Sequence, residues 1–139
     1  MTSNGIQVLV VEDDPLTRRA YAELLANWGF ATRTAQNGLA ALVEIHMAKP
    51  DILLSDLEMP GMNGYELLSI ARRLHPEMSL VAMSGGFATD SVPPGVTADA
   101  FYAKSAGSSL RLRAILGEVC GARLAMERSG AAQLGLRPV

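Results

Sequence analysis

Along nearly the whole chain, short apolar runs alternate with segments in which apolar residues recur at helical spacing. Residues 6–11 (IQVLVV) form the first run. After it, Leu16, Ala20, Tyr21, Leu24, Leu25 and Trp28 recur every three or four positions and predict one buried helical stripe. Asp14 is placed to cap this helix, Pro15 suits its first turn and Gly29 its end. Residues 30–35 (FATRTA) alternate weakly and predict an edge strand. Asn37 and Gly38 open a second helix carrying Leu39, Leu42 and Ile45, which Pro50 stops. Residues 52–55 (ILLS) predict a third strand. Asn63 then caps a third helix with Leu67, Ile70, Ala71 and Leu74, ended by Pro76. Residues 79–83 (SLVAM) and 100–103 (AFYA) are the fourth and fifth strands. A last helix beginning near Ser108 or Ser109 carries Leu112, Ile115, Leu116 and Val119.

The first, third and fourth runs are apolar without alternation, the signature of strands buried on both faces of a parallel sheet. The order of elements predicts an α/β fold: a doubly wound five-stranded parallel sheet, order 2-1-3-4-5, with helices on both faces. The segment 85–96 (GGFATDSVPPGV) interrupts this rhythm. Pro93 and Pro94 cannot lie in a helix interior, so the helix expected between the fourth and fifth strands is predicted to be short, displaced or absent. The domain is predicted to span residues 1–122. Residues 123–139 are expected to prolong the last helix briefly and then form a C-terminal tail with no output domain.

Composition narrows the function classes. The chain has 139 residues, 49% of them hydrophobic, enough for one compact core. Net charge is −2, and only two of the 12 basic residues are lysine, Lys49 and Lys104, so no polybasic footprint for direct nucleic-acid binding is expected. A single cysteine, Cys120, permits no internal disulfide and suits a small core position. No apolar run approaches the ~20 residues of a membrane span, and the N-terminal MTSNGIQ resembles no secretion signal. A cytoplasmic location is the expectation.

Candidate chemistry lies at the carboxyl ends of the predicted strands, where open α/β sheets bind ligands. The first strand ends in Glu12 and Asp13, the third in Asp56, the fourth in Ser84 and the fifth in Lys104. In a parallel sheet these meet in one crevice. Carboxylates so close repel one another unless a cation sits among them, and hard oxygen ligands of this kind suit Mg²⁺. Lys104 and the metal can neutralise an incoming phosphoryl group, and the Ser84 hydroxyl can donate to one of its oxygens. Asp14 reads as a helix cap, Asp51 as a strand-entry turn residue, and His46 and His75 lack metal-ligand partners at useful spacing.

Four segments, VLVVEDDP (8–15), LLSDLEMPGMNG (53–64), VAMSG (81–85) and ADAFYAKS (98–105), in this order and spacing resemble the receiver domains of two-component signalling, which have a flavodoxin-like fold. The resemblance covers residues 6–120. It implies that Asp56 accepts a phosphoryl group from a phosphohistidine on a sensor histidine kinase or histidine phosphotransfer protein. It implies Asp13 as a direct Mg²⁺ ligand, Glu12 as a ligand through water and the Glu58 backbone carbonyl as another. Lys104 would bridge to the phosphoryl oxygens. Ser84 would be the switch hydroxyl, coupled to the rotamer of Phe101. The module is thus expected to be a signalling receiver catalysing only its own phosphorylation and dephosphorylation, not an enzyme acting on other substrates. A free-standing regulator, a relay and a piece of a hybrid kinase all fit.

Four features depart from the family pattern. Ser105 stands where proline usually follows the lysine, so a trans bond is the expectation there. Residues 85–96 replace the fourth helix, Phe101 lacks the hydroxyl of some aromatic counterparts, and Glu58 adds a negative side chain beside the acceptor. These motivate an alternative, a degenerate receiver that binds partners without phosphorylation. A haloacid-dehalogenase-type phosphatase would want a second aspartate two residues after the nucleophile, where this chain has Glu58. A flavin-binding flavodoxin would need a phosphate-cradling loop where Glu12 and Asp13 stand.

Overall fold

The computed structural model describes residues 5–86, 91–104 and 108–133, with side chains as far as residue 121. Five strands and four helices alternate along it: β1 (Gln7–Val11), α1 (Pro15–Asn27), β2 (Ala31–Ala35), α2 (Gly38–Met47), β3 (Ile52–Asp56), α3 (Gly64–Leu74), β4 (Ser79–Ser84), β5 (Ala100–Ala103) and α4 (Ser109–Gln133). All strand pairs are parallel and the order is β2-β1-β3-β4-β5.

Successive residues of a strand point to opposite faces, and both faces of this sheet are covered. Leu9, Val11, Leu53, Leu80, Ala82 and Phe101 face Ala41 and Ile45 of α2 and Leu67, Leu68 and Ala71 of α3. Val8, Val10, Ile52, Leu54, Val81, Met83 and Tyr102 face Leu25 of α1 and Leu112, Ile115, Leu116, Val119 and Cys120 of α4. Two-sided burial is why β1, β3 and β4 carry unbroken apolar runs while β2, at the sheet edge, does not.

The helix starts follow their predicted caps. Asp14 Oδ2 accepts the Thr17 amide at 2.8 Å, Asn37 Oδ1 the Ala40 amide at 2.8 Å and Asn63 Oδ1 the Glu66 amide at 3.0 Å. Gly29, at φ 94°, takes the left-handed turn after α1. Helical phase corrects the predicted stripes. Leu16 and Leu25 are nine residues apart, half a revolution around the helix at about 100° per residue, so Leu16 is exposed while Leu25 is buried. Ala20 is exposed for the same reason. On α2, Ala41 joins Ile45 in the core and Leu39 turns outward with Val43 and Met47. Leu74, in the last turn of α3, is also exposed.

Among the described residues between β4 and β5 there is no helix; residues 87–90 of that predicted interruption lie outside the described residues. Val92, Val96 and Ala98, in the described part of this connection, pack against the core. The last helix runs to Gln133, well beyond the brief continuation expected past residue 122. No proline occurs between Pro94 and Pro138, and Ala, Arg, Leu, Met and Glu in this stretch favour helix.

Two sets of contacts align the strand ends. At the amino ends, Asp51 Oδ2 accepts the Gln7 amide at 2.8 Å and the Asp51 carbonyl accepts the Ser79 amide at 3.1 Å. At the carboxyl ends, the Glu12 amide donates to the Ala35 carbonyl, the Leu57 amide to that of Met83 and the Lys104 amide to that of Ser84, at 2.9–3.1 Å. These bonds carry the ladder one residue past the strands. α3 then closes on the end of β3, where the Gly64 amide donates to the Leu57 carbonyl at 3.1 Å. A Cβ on Gly64 would collide with the Asp56 carbonyl oxygen and stand 2.7 Å from Leu57 Cα. Backbone offers no flexible end to yield. Gly64→Ala is therefore expected to cost about 3 kcal/mol by overpacking, read as a lower midpoint in urea unfolding with an unchanged m-value.

Candidate functional site

The carboxyl edge of the sheet gathers the polar residues that end β1, β3, β4 and β5. Glu12, 2% exposed, follows β1 directly and Asp56, 5% exposed, ends β3. Lys104 follows β5 and reaches between them, its Nζ 2.9 Å from Glu12 Oε1 and 3.3 Å from Asp56 Oδ2. Asp13 is exposed at the rim. One ligand oxygen from each of Glu12, Asp13 and Asp56 lies within 4.8 Å of the other two, the spacing of a cation site built from hard carboxylate donors.

Each side chain is held by its neighbours. Glu12 Oε2 accepts the Asp14 amide at 3.1 Å, and Arg18 Nη1 donates to the Glu12 carbonyl at 3.0 Å. Arg18 was not among the sequence candidates; its position one turn into α1 signals nothing until the helix is docked. Asp56 Oδ1 accepts the Glu58 amide at 3.3 Å, and the Ser55 hydroxyl donates to the Asp56 carbonyl at 2.9 Å. Both contacts stiffen the turn that leaves β3.

Ser84 ends β4 fully buried. Its Oγ accepts the Gly86 amide at 3.0 Å and donates to Glu58 Oε1. The Glu58 side chain, predicted only to add charge beside the acceptor, thus lies across the site from the β3 turn to the end of β4. Phe101 is buried on the α2–α3 side of the sheet, register partner of Ala82. The bond between Lys104 and Ser105, expected to be trans, lies outside the described residues.

Burial sets the electrostatics. It pushes the Asp56 carboxyl up to about 7; the charge of Lys104 opposes the rise, and Glu12 and the Glu58 carboxyl add to it. Burial also works against ionised Glu12, but hydrogen bonds from Lys104 and the Asp14 amide outweigh it and hold this carboxyl below its ordinary range. At Lys104 burial disfavours the ammonium, yet Glu12 and Asp56 outweigh it and the group is held protonated. Asp13 is raised by partial desolvation and by its hydrogen bond and charge contact with Glu12. The metal-free site therefore carries more negative charge than one lysine neutralises.

A family model described as the response regulator receiver domain matches residues 8–103. The chain belongs to this family. The Salmonella typhimurium sensor histidine kinase RcsC is 35% identical over 83 residues, 60% of this chain and 9% of that protein. The Escherichia coli K12 DNA-binding transcriptional regulator NtrC is 38% identical over 77 residues, 55% of this chain and 16% of that protein. The chain thus spans a small part of the curated relatives it matches. Among solved structures, the Thermotoga maritima response regulator TrrA, in complex with Mg(2+)-BeF, superposes with a TM-score of 0.75 at 26% identity, covering 82% of this chain and 98% of that one. The protein described here is a receiver domain of two-component systems with the flavodoxin-like receiver fold. Among the described residues no helix is long and apolar enough to cross a membrane.

The raised Asp56 carboxyl has a consequence for stability. The folded receiver binds this proton more tightly than the unfolded chain, whose carboxyl keeps an ordinary value near 3.8. The penalty of a charged Asp56 is absent below about pH 4, grows as pH rises and is complete above about pH 7. Asp56→Asn is expected to stabilise the metal-free protein by about 2 kcal/mol at pH 8. Thermal unfolding in a chelator should show that gain shrinking towards pH 4, and shrinking also when Mg²⁺ is added.

Proposed function

We propose that this receiver accepts a phosphoryl group on Asp56, taking it from a phosphohistidine of a sensor histidine kinase or histidine phosphotransfer protein. The single observation that carries this reading is the Lys104 ammonium set between buried Glu12 and Asp56, with Asp13 beside them. A carboxylate attacks phosphorus only where the negative charge of the phosphoryl oxygens is offset, and this site concentrates the groups that do so. Asp13, Asp56 and the Glu58 backbone carbonyl would hold Mg²⁺ directly and Glu12 through water. The bound ion would supply further charge neutralisation for the phosphoryl oxygens. TrrA, a structural relative, takes up Mg(2+)-BeF, which lends support.

In the transfer, an Asp56 oxygen forms a bond to phosphorus as the P–N bond of the phosphohistidine breaks, and the imidazole leaves with the electron pair. Lys104 orients and neutralises the phosphoryl oxygens. The product is a mixed anhydride whose hydrolysis ends the signal. The Ser84 hydroxyl donates to a phosphoryl oxygen as the group arrives, and Phe101 adjusts with it, altering the surface offered to a downstream protein partner. One such charge-assisted hydrogen bond is worth about 1.5–3 kcal/mol, enough to bias a two-state surface by a decade or more. This reading treats residues 1–122 as the phosphorylated unit, working in the cytoplasm and binding neither membrane nor nucleic acid directly.

Incubation with Mg²⁺ and acetyl phosphate is expected to yield a labile phosphoryl adduct by intact mass. Asp56→Asn should abolish it, and Lys104→Ala should slow its formation by about tenfold or more. An unchanged mass under conditions that label a control receiver domain would overturn the reading in favour of binding without phosphorylation.

A further inference from the structure

The Ser84 hydroxyl is already engaged in the resting protein. It is fully buried, its oxygen accepts the Gly86 amide at 3.0 Å, and its proton is directed at Glu58 Oε1. A hydroxyl has one proton to donate. Ser84 therefore cannot bond a phosphoryl oxygen while it bonds Glu58. The Glu58 carboxylate is also closely seated. A Cβ on Gly86 would stand 3.3 Å from Glu58 Oε1 and 3.5 Å from Ser84 Oγ, so the carboxylate lies against the backbone that follows β4. Its own amide is turned back onto Asp56 Oδ1 at 3.3 Å. A negatively charged oxygen acceptor thus stands between the end of β3 and the end of β4, on the hydroxyl that phosphorylation is proposed to recruit. Glu58 itself is exposed, so its carboxylate has solvent to swing into.

We propose that Glu58 is an internal competitor of the phosphoryl group: it clamps the Ser84 hydroxyl in the unphosphorylated receiver, and phosphorylation of Asp56 proceeds as that hydrogen bond is exchanged for one to the phosphoryl oxygen. This rests on the phosphoacceptor reading and adds a positioning residue to it. With acetyl phosphate the Asp56 oxygen–phosphorus bond forms, the bond from phosphorus to the acetyl oxygen breaks and acetate leaves with the electron pair. The serine proton changes acceptor but stays on Ser84. The exchange makes a resting hydrogen bond to a charged group something the transfer must break, so the clamp slows labelling and lowers the gain that Ser84 confers.

The test is a double-mutant cycle on the initial rate of adduct formation with acetyl phosphate, each protein assayed at its own saturating Mg²⁺. Glu58→Ala is expected to speed labelling about tenfold. In a Ser84→Ala background the same substitution should give little or no acceleration, because there is no hydroxyl left to release. Glu58→Gln, which keeps an oxygen acceptor but drops the charge, should label at a rate nearer the parent than Glu58→Ala does. Three results overturn the clamp while leaving the phosphoacceptor reading intact: no acceleration by Glu58→Ala, an equal acceleration with and without Ser84, which marks simple charge repulsion, or Glu58→Gln as fast as Glu58→Ala. Absence of any adduct in the parent and in every variant removes the phosphoacceptor reading, and the clamp with it.

Discussion

The Lys104 ammonium between Glu12 and Asp56 is the contact on which the site depends. Two carboxylates withdrawn from water at the end of a dry sheet repel each other and lose hydration, and one lysine offsets only part of that loss. The remainder appears as the raised Asp56 carboxyl, whereas hydrogen bonds hold Glu12 below its ordinary range. The pair is thus split in character: Glu12 keeps its charge through Lys104 and the Asp14 amide, while Asp56 is left under-compensated. An under-compensated carboxylate in reach of an ammonium and a further acid is prepared for a cation and for an incoming group whose charge the cation can share.

That arrangement exists because the sheet is parallel and dry on both faces. Strands running the same way bring their carboxyl ends to one edge, and hydrogen bonds from Glu12, Leu57 and Lys104 to neighbouring strands hold the first residue of each loop in line. The same frame tolerates a connection between β4 and β5 whose described residues form no helix. Covering that face requires apolar volume rather than helical backbone, and Val92, Val96 and Ala98 supply it.

Glu58 shows how a single side chain can alter a shared geometry without displacing it. The turn after Asp56 is held by the Glu58 amide and by the seating of Gly64, which places the Glu58 backbone beside the end of β4. It reaches Ser84 because β3 and β4 are adjacent in the sheet, with Asp56 paired to Met83, the residue before Ser84. Twenty-six residues of sequence separate the two partners. Their contact is a property of the sheet order.

Much of the architecture was legible in the sequence. Unbroken apolar runs marked the central strands, Asp14, Asn37 and Asn63 marked the helix starts, and the polar residues closing each run named Glu12, Asp13, Asp56, Ser84 and Lys104 as members of one crevice. These features are local, set by backbone geometry and capping chemistry over a few residues. The outward turn of Leu16 and Leu39, the hold of Arg18 on the Glu12 carbonyl, the uneven charge of Glu12 and Asp56 and the reach of Glu58 to Ser84 were decided only by tertiary structure. Each depends on the phase of a docked helix or on the distance between strands far apart in the chain, and burial, which sets the cost of charge, has no value until the chain has closed on itself.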